Sequence, residues 1–207
     1  MAMVALLVAV AAGHAAAVDL DLYLRAARSG VAGEVAGRAY EERRRLDLPE
    51  QPLPDTTVTL LPSPDALLPY LEGVKRDARD SPEAFRSAIP RMLEAQEQHE
   101  RAVRAAGGDS LVRSAVAAAD GTFTLPGVPA GAWILIGRHE TAMVKTGHGG
   151  TRKDRETYRL GPAPAGYRTV RIWIRDLSVD GGTVVSVALT DRNVWFGGAV
   201  EVKTDRR

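Results

Sequence analysis

The feature that most narrows the fold is a rhythm of short alternating or β-branched runs, each closed by Gly, Pro or Asp-Gly and interrupted once by helical periodicity. Val31, Gly33, Val35, Gly37 and Ala39 alternate up to Tyr40, and a β-branched run over 56–61 is closed by Pro62. After Ser110 the pattern returns as runs over 111–119, 122–125, 132–136, 169–175, 183–189 and 195–202. Asp120-Gly121 reads as a hairpin turn, Pro126 to Gly131 contains a second tight turn, and Asp180-Gly181-Gly182 joins two further strands. Nothing repeats strand, helix, strand. The pattern predicts a mainly β fold, an antiparallel sandwich.

The exception is 63–107, expected as an inserted α-helical hairpin. Ser63-Pro64-Asp65 and Ser81-Pro82-Glu83 each combine a cap hydroxyl, a proline at the first helical position and an early carboxylate. Phe85, Ala88, Ile89, Met92, Leu93, Ala95, Ala102 and Val103 recur at helical spacing, and Gly107-Gly108 stops the run. Pro69 and Pro90 each kink a helix or mark a restart. The stripe through Phe85, Ile89 and Met92 either packs on the sandwich or forms a partner helix for another chain.

At the N-terminus no charge occurs before Asp19, and Val4 to Ala12 is an apolar run of signal-peptide length. Ala15-Ala16-Ala17 puts small residues before a cleavage between Ala17 and Val18. Residues 1–17 are therefore expected as a signal peptide and 18–207 as one domain, periplasmic or secreted, with an uncleaved membrane anchor as the alternative. Val18, Leu20, Leu22 and Leu24 alternate with polar residues, predicting that the mature chain opens on a strand.

The run Ala119-Asp120-Gly121-Thr122-Phe123-Thr124-Leu125-Pro126-Gly127-Val128-Pro129-Ala130-Gly131-Ala132-Trp133-Ile134-Leu135 resembles carboxypeptidase regulatory-like domains, which have a transthyretin-like, or prealbumin-like, sandwich. Gly33 to Ala39 and Thr57 to Leu60 are similar to that family's opening strands. The resemblance covers about half of the expected mature chain and leaves the helical insert unexplained. It implies a prealbumin-like β-sandwich and a non-catalytic module outside the cytoplasm, with binding or assembly roles.

Composition agrees with binding rather than chemistry. There is no Cys among 207 residues, so thiol nucleophiles, disulfides and thiolate metal sites are excluded. A Gly-x-Ser-x-Gly elbow is missing, and His99, His139 and His148 stand at no metal-ligand spacing. No catalytic residue, metal or cofactor is expected. With 27 Lys and Arg against 26 Asp and Glu, the chain as a whole has no nucleic-acid footprint.

One stretch is locally basic: 138–175 carries nine Lys and Arg against Glu140, Asp154 and Glu156. Arg171, Trp173 and Arg175 share one face of a strand, and Arg168, Tyr158, Arg152 and Lys153 add charge and an aromatic ring. These form the candidate binding surface, suited to an anionic polymer, a lipid headgroup or a protein of the cell envelope; a neighbouring strand over Trp173 is the competing arrangement. The alternative function is a carrier for a small ligand seated between the insert and the sandwich, marked by a pocket there with converging polar groups. An envelope hydrolase is a third reading.

Overall fold

A computed structural model describes residues 20–43, 45, 49–63, 66–143 and 167–201. The expected signal peptide, the 144–166 stretch with His148, Arg152, Lys153 and Tyr158, and the Pro64-Asp65 part of the first cap signal lie outside the described residues. In chain order the elements are α1 (Asp21–Ser29), β1 (Ala32–Glu41), β2 (Gln51–Pro52), β3 (Thr57–Pro62), α2 (Leu67–Asp77), α3 (Pro82–Ala105), β4 (Arg113–Val116), β5 (Thr122–Pro129), β6 (Gly131–Met143), β7 (Tyr167–Val179), β8 (Val184–Thr190) and β9 (Phe196–Glu201).

The strands form two sheets, as expected for a sandwich. The five-stranded sheet runs β4-β3-β6-β7-β9 with every pair antiparallel. In the four-stranded sheet β1 is central: β5 and β2 pair with one edge antiparallel, and β8 pairs with the other edge in parallel. That parallel pair departs from a wholly antiparallel sandwich.

Two local expectations are corrected. The run after Val18 is not a strand: Asp21–Ser29 is a helix ended by Gly30 at φ 71°. Leu20, Tyr23 and Leu24, one face at helical spacing, pack into the core, whereas Leu22 is 68% exposed. Asp120-Gly121 does not close a hairpin, because β4 and β5 belong to different sheets. Asp120 Oδ1 instead accepts from the Thr122 amide and hydroxyl at 3.0 and 2.7 Å, and Gly121 supplies φ 82° for the crossing. Asp180 to Gly182 joins two strands as expected, β7 and β8, and these lie in different sheets.

The helical insert is present. Ser81 caps α3, its Oγ accepting from the Ala84 amide at 3.0 Å, while α2 begins after Ala66 without a side-chain cap. Pro69 falls in the first turn of α2, and α3 continues through Pro90.

The apolar residues divide into two cores. Between the sheets lie Trp133, Trp173, Leu60, Leu135, Val35, Phe123 and Leu125, sealed at one end by Tyr23, whose ring meets Trp133 edge-on at 5.1 Å. On the outer face of the five-stranded sheet, Leu61, Ile134, Ile136, Val170, Ile172 and Ile174 pack against Leu71, Val74, Ala88, Ile89 and Met92 of the helices. The central strands of this sheet are thus buried on both faces, which accounts for runs such as Trp133-Ile134-Leu135-Ile136.

Candidate functional site

The expected Arg171-Trp173-Arg175 row does not form a contact surface. Those side chains point between the sheets, where Trp173 is fully buried and its indole Nε1 donates to the Thr190 carbonyl at 2.8 Å. Arg171 forms a 2.7 Å ion pair with Glu41, and Arg175 donates to the Asn193 carbonyl at 3.0 Å. Exposed Arg168 is paired with Glu140 at 3.2 Å. A strand with both faces covered has no outward row, so the basic residues of β7 serve the sandwich. The partner-helix stripe is likewise occupied: Ile89 and Met92 are buried against the sheet, and half-exposed Phe85 lies 5.9 Å from Phe196.

What the fold builds is a cleft of about 210 Å³ between α3 and the outer face of the five-stranded sheet. Its floor follows from strand alternation and register. Val58 and Leu60 point into the inter-sheet core, so Thr57 and Thr59 point outward, opposite Arg138 and Ile136 of β6. Its roof follows from helical periodicity: Leu93, Gln96, Glu97 and Glu100 lie at i, i+3, i+4 and i+7, one stripe of α3. Leu93, Gln96, Ile136 and Arg138 also line a narrow apolar recess with Leu71, Met92, Ile172, Ile174 and Trp195. The two depressions share a wall, polar at one end and apolar at the other.

Several of the cleft's polar groups are held in place. Gln96 Nε2 donates to Glu100 Oε1 at 2.9 Å, and Arg104 Nη2 donates to Glu100 Oε2 at 3.2 Å. Glu97 faces Arg101 at 3.8 Å, and Arg138 Nε lies 3.5 Å from Glu140. The Thr57 and Thr59 hydroxyls make no hydrogen bond to any described residue.

The two described histidines, His99 and His139, stand apart from the cleft lining. His139 Nδ1 is 3.2 Å from Thr56 Oγ1, and Thr56 donates its only hydroxyl proton to the Leu53 carbonyl at 2.8 Å. Thr56 therefore accepts from His139, which fixes the proton on Nδ1 and leaves Nε2 to accept from Thr141 Oγ1 at 3.2 Å. Burial and then the Arg171 charge lower the His139 pKa, against opposing effects of Asp55, Glu41 and the Pro54 carbonyl. His99 is half-buried rather than at the solvent edge; burial lowers its pKa against the Pro62 carbonyl and Glu100, and its Nε2 is buried without a partner. Among the described residues no group of His, Asp or Glu is arranged to hold a metal ion.

Sequence reasoning anticipated a pocket between insert and sandwich but not its lining. A signal was present: polar Gln96 and Glu100 lie on α3 between buried Met92 and Val103, where a helix fully covered by a sheet would carry apolar residues.

No family profile and no curated protein matches this chain. A solved structure of a Pseudomonas aeruginosa protein, described as a candidate carbohydrate binding protein, matches at 16% identity and a TM-score of 0.42, over 77% of this chain and 88% of that one. Among the described residues no helix is long and apolar enough to cross a membrane.

Proposed function

We propose that the chain is a non-catalytic binding module that seats a small polar organic molecule between α3 and the five-stranded sheet. The observation that carries this reading is the cleft itself, about 210 Å³ with threonine, glutamine, glutamate and arginine converging over Leu93 and Ile136. Placed polar groups fix a small ligand's orientation in such a site, and here six of the eight lining residues are polar, which points to a polar ligand. The space suits a ligand of monosaccharide or amino-acid size. The proposal includes export, resting on the uncharged run and the small residues before Val18, and a place in the cell envelope. It also includes the resemblance of 119–135 to carboxypeptidase regulatory-like domains, from which its non-catalytic character is drawn.

The test is a thermal-shift screen of small polar metabolites against the full chain and against Gln96→Phe, which fills the cleft. A ligand at about one hundred times its Kd stabilises the folded state by about 2.7 kcal/mol, which raises Tm by roughly 5–10 °C in a domain of this size. Ligands that stabilise the unmodified chain are expected to leave the Phe variant unmoved. A set that stabilises both equally overturns the cleft as the seat.

A further inference from the structure

We infer that the cleft selects a neutral, hydroxyl-rich ligand over an ionic one; this rests on the reading of the cleft as the ligand seat. The charges around the cleft are matched in pairs. Each charged side chain lining the cleft already faces an opposite charge: Glu97 faces Arg101 at 3.8 Å, Glu100 faces Arg104 at 3.2 Å, and Arg138 faces Glu140 at 3.5 Å. Arg101 and Arg104 answer the two glutamates of the lining, and Arg138 shares Glu140 with Arg168 at 3.2 Å, so every charge in the lining has an opposite charge beside it before a ligand enters. A carboxylate or ammonium entering this space would give up hydration and find its counter-charge already engaged.

The remaining polar capacity is mixed and neutral. The Thr57 and Thr59 hydroxyls both donate and accept. Gln96 gives one of its two amide N–H donors to Glu100, leaving the other and its carbonyl oxygen for a ligand. Arg138 retains guanidinium donors beyond the Nε that faces Glu140. Donors and acceptors alternating around a small space match groups that do both, as a hydroxyl does and an ion does not. Leu93 and Ile136 add an apolar wall for the C–H face of a ring bearing those hydroxyls.

The experiment is a titration of the isotope-labelled full chain, followed through the amide resonances of Thr57, Thr59, Gln96 and Ile136. The probes are glucose, galactose, mannose and myo-inositol, set against glucuronate and glucosamine. At least one neutral probe is expected to shift these resonances, with an affinity that salt leaves unchanged. It should weaken about tenfold in Thr59→Val, the worth of one hydrogen bond, and change within about twofold in Glu94→Gln, on the exposed face of α3 outside the cleft. If glucuronate or glucosamine binds at these residues more tightly than every neutral probe, and salt abolishes the binding, the neutral class is overturned while the seat stands. Shifts confined to residues elsewhere overturn the seat as well, and so does the absence of any shift with all six probes.

Discussion

At the scale of single residues, packing is tight within the four-stranded sheet where β1 runs between β5 and β8. Gly37 of β1 lies under Phe123; a Cβ there would meet the Phe123 ring at 2.5 Å and press on the Val187 carbonyl. A backbone carbonyl held in a ladder cannot yield as a side-chain tip can, so Gly37→Ala is expected to cost about 3 kcal/mol. The corresponding fall in Tm, roughly 6–12 °C by calorimetry, is the check. The two described histidines set a pH dependence. Both have pKa values lowered from 6.5, so as pH falls through that value the unfolded chain binds protons that the folded chain refuses. Stability present above 6.5 is therefore lost toward the lowered folded values; the urea midpoint should drop between about pH 7.5 and pH 5.5, and less so in His139→Gln. Asp120, lowered from 3.8 by hydrogen bonds from Thr122, titrates below this window and does not contribute. That Phe123, Leu125, Trp133 and Leu135 share an inner face was legible in strand alternation. A covered Trp173 stood there as one of two arrangements, and alternation could not choose between them, because it separates two faces of β7 without saying that helices cover one and the second sheet the other.

At the scale of elements, position was legible and pairing was not. The runs at 31–40, 56–61, 132–136 and 169–175 are strands because apolar and β-branched residues bury well on a pleated surface. Asp-Gly and Asp-Gly-Gly record only that the chain reverses with positive φ, and a reversal into the opposite sheet needs the same backbone as a hairpin. The first helix shows a second limit. Leu20, Leu22 and Leu24 alternate, but Leu20, Tyr23 and Leu24 also satisfy a helical period, and so short a run fits both. The two arrangements differ at Leu22, which a strand would bury beside Leu20 and which the helix leaves exposed. Leu22→Glu is expected to change stability within about 0.5 kcal/mol. Tyr23→Ala should cost about 3–5 kcal/mol, through its lost contact with Trp133 and its lost bonds to the Ala132 carbonyl and Ser63 amide. Urea unfolding of the two variants separates helix from strand, since a buried Leu22 would reverse the first result.

At the scale of the whole molecule, the helical insert is a third layer. The outer face of the five-stranded sheet carries Leu61, Ile134, Ile136, Val170, Ile172 and Ile174, none more than 7% exposed, and α2 and α3 cover them. Leaving these six side chains to water would forfeit roughly 9–18 kcal/mol, at about 1.5–3 kcal/mol for each fully buried aliphatic chain, a sum as large as the net stability of an ordinary domain. The insert also roofs the cleft, so one element stabilises the sheet and shapes the site. The cleft opens where apolar contact gives way to Gln96, Glu97 and Glu100, which places the functional candidate beside the buried helix–sheet contact rather than within it. Replacing 63–107 by a short Gly-rich turn is accordingly expected to abolish cooperative unfolding and give an aggregating species that binds a hydrophobic dye. Gln96→Leu, which extends the apolar stripe of α3 toward Val103, should leave the fold intact and stabilise it modestly while narrowing the polar cleft. Calorimetry and light scattering on both variants test the third-layer role. A monomeric excised chain with a single sharp transition would show that the sandwich closes on its own two sheets and that the helices are an appendage.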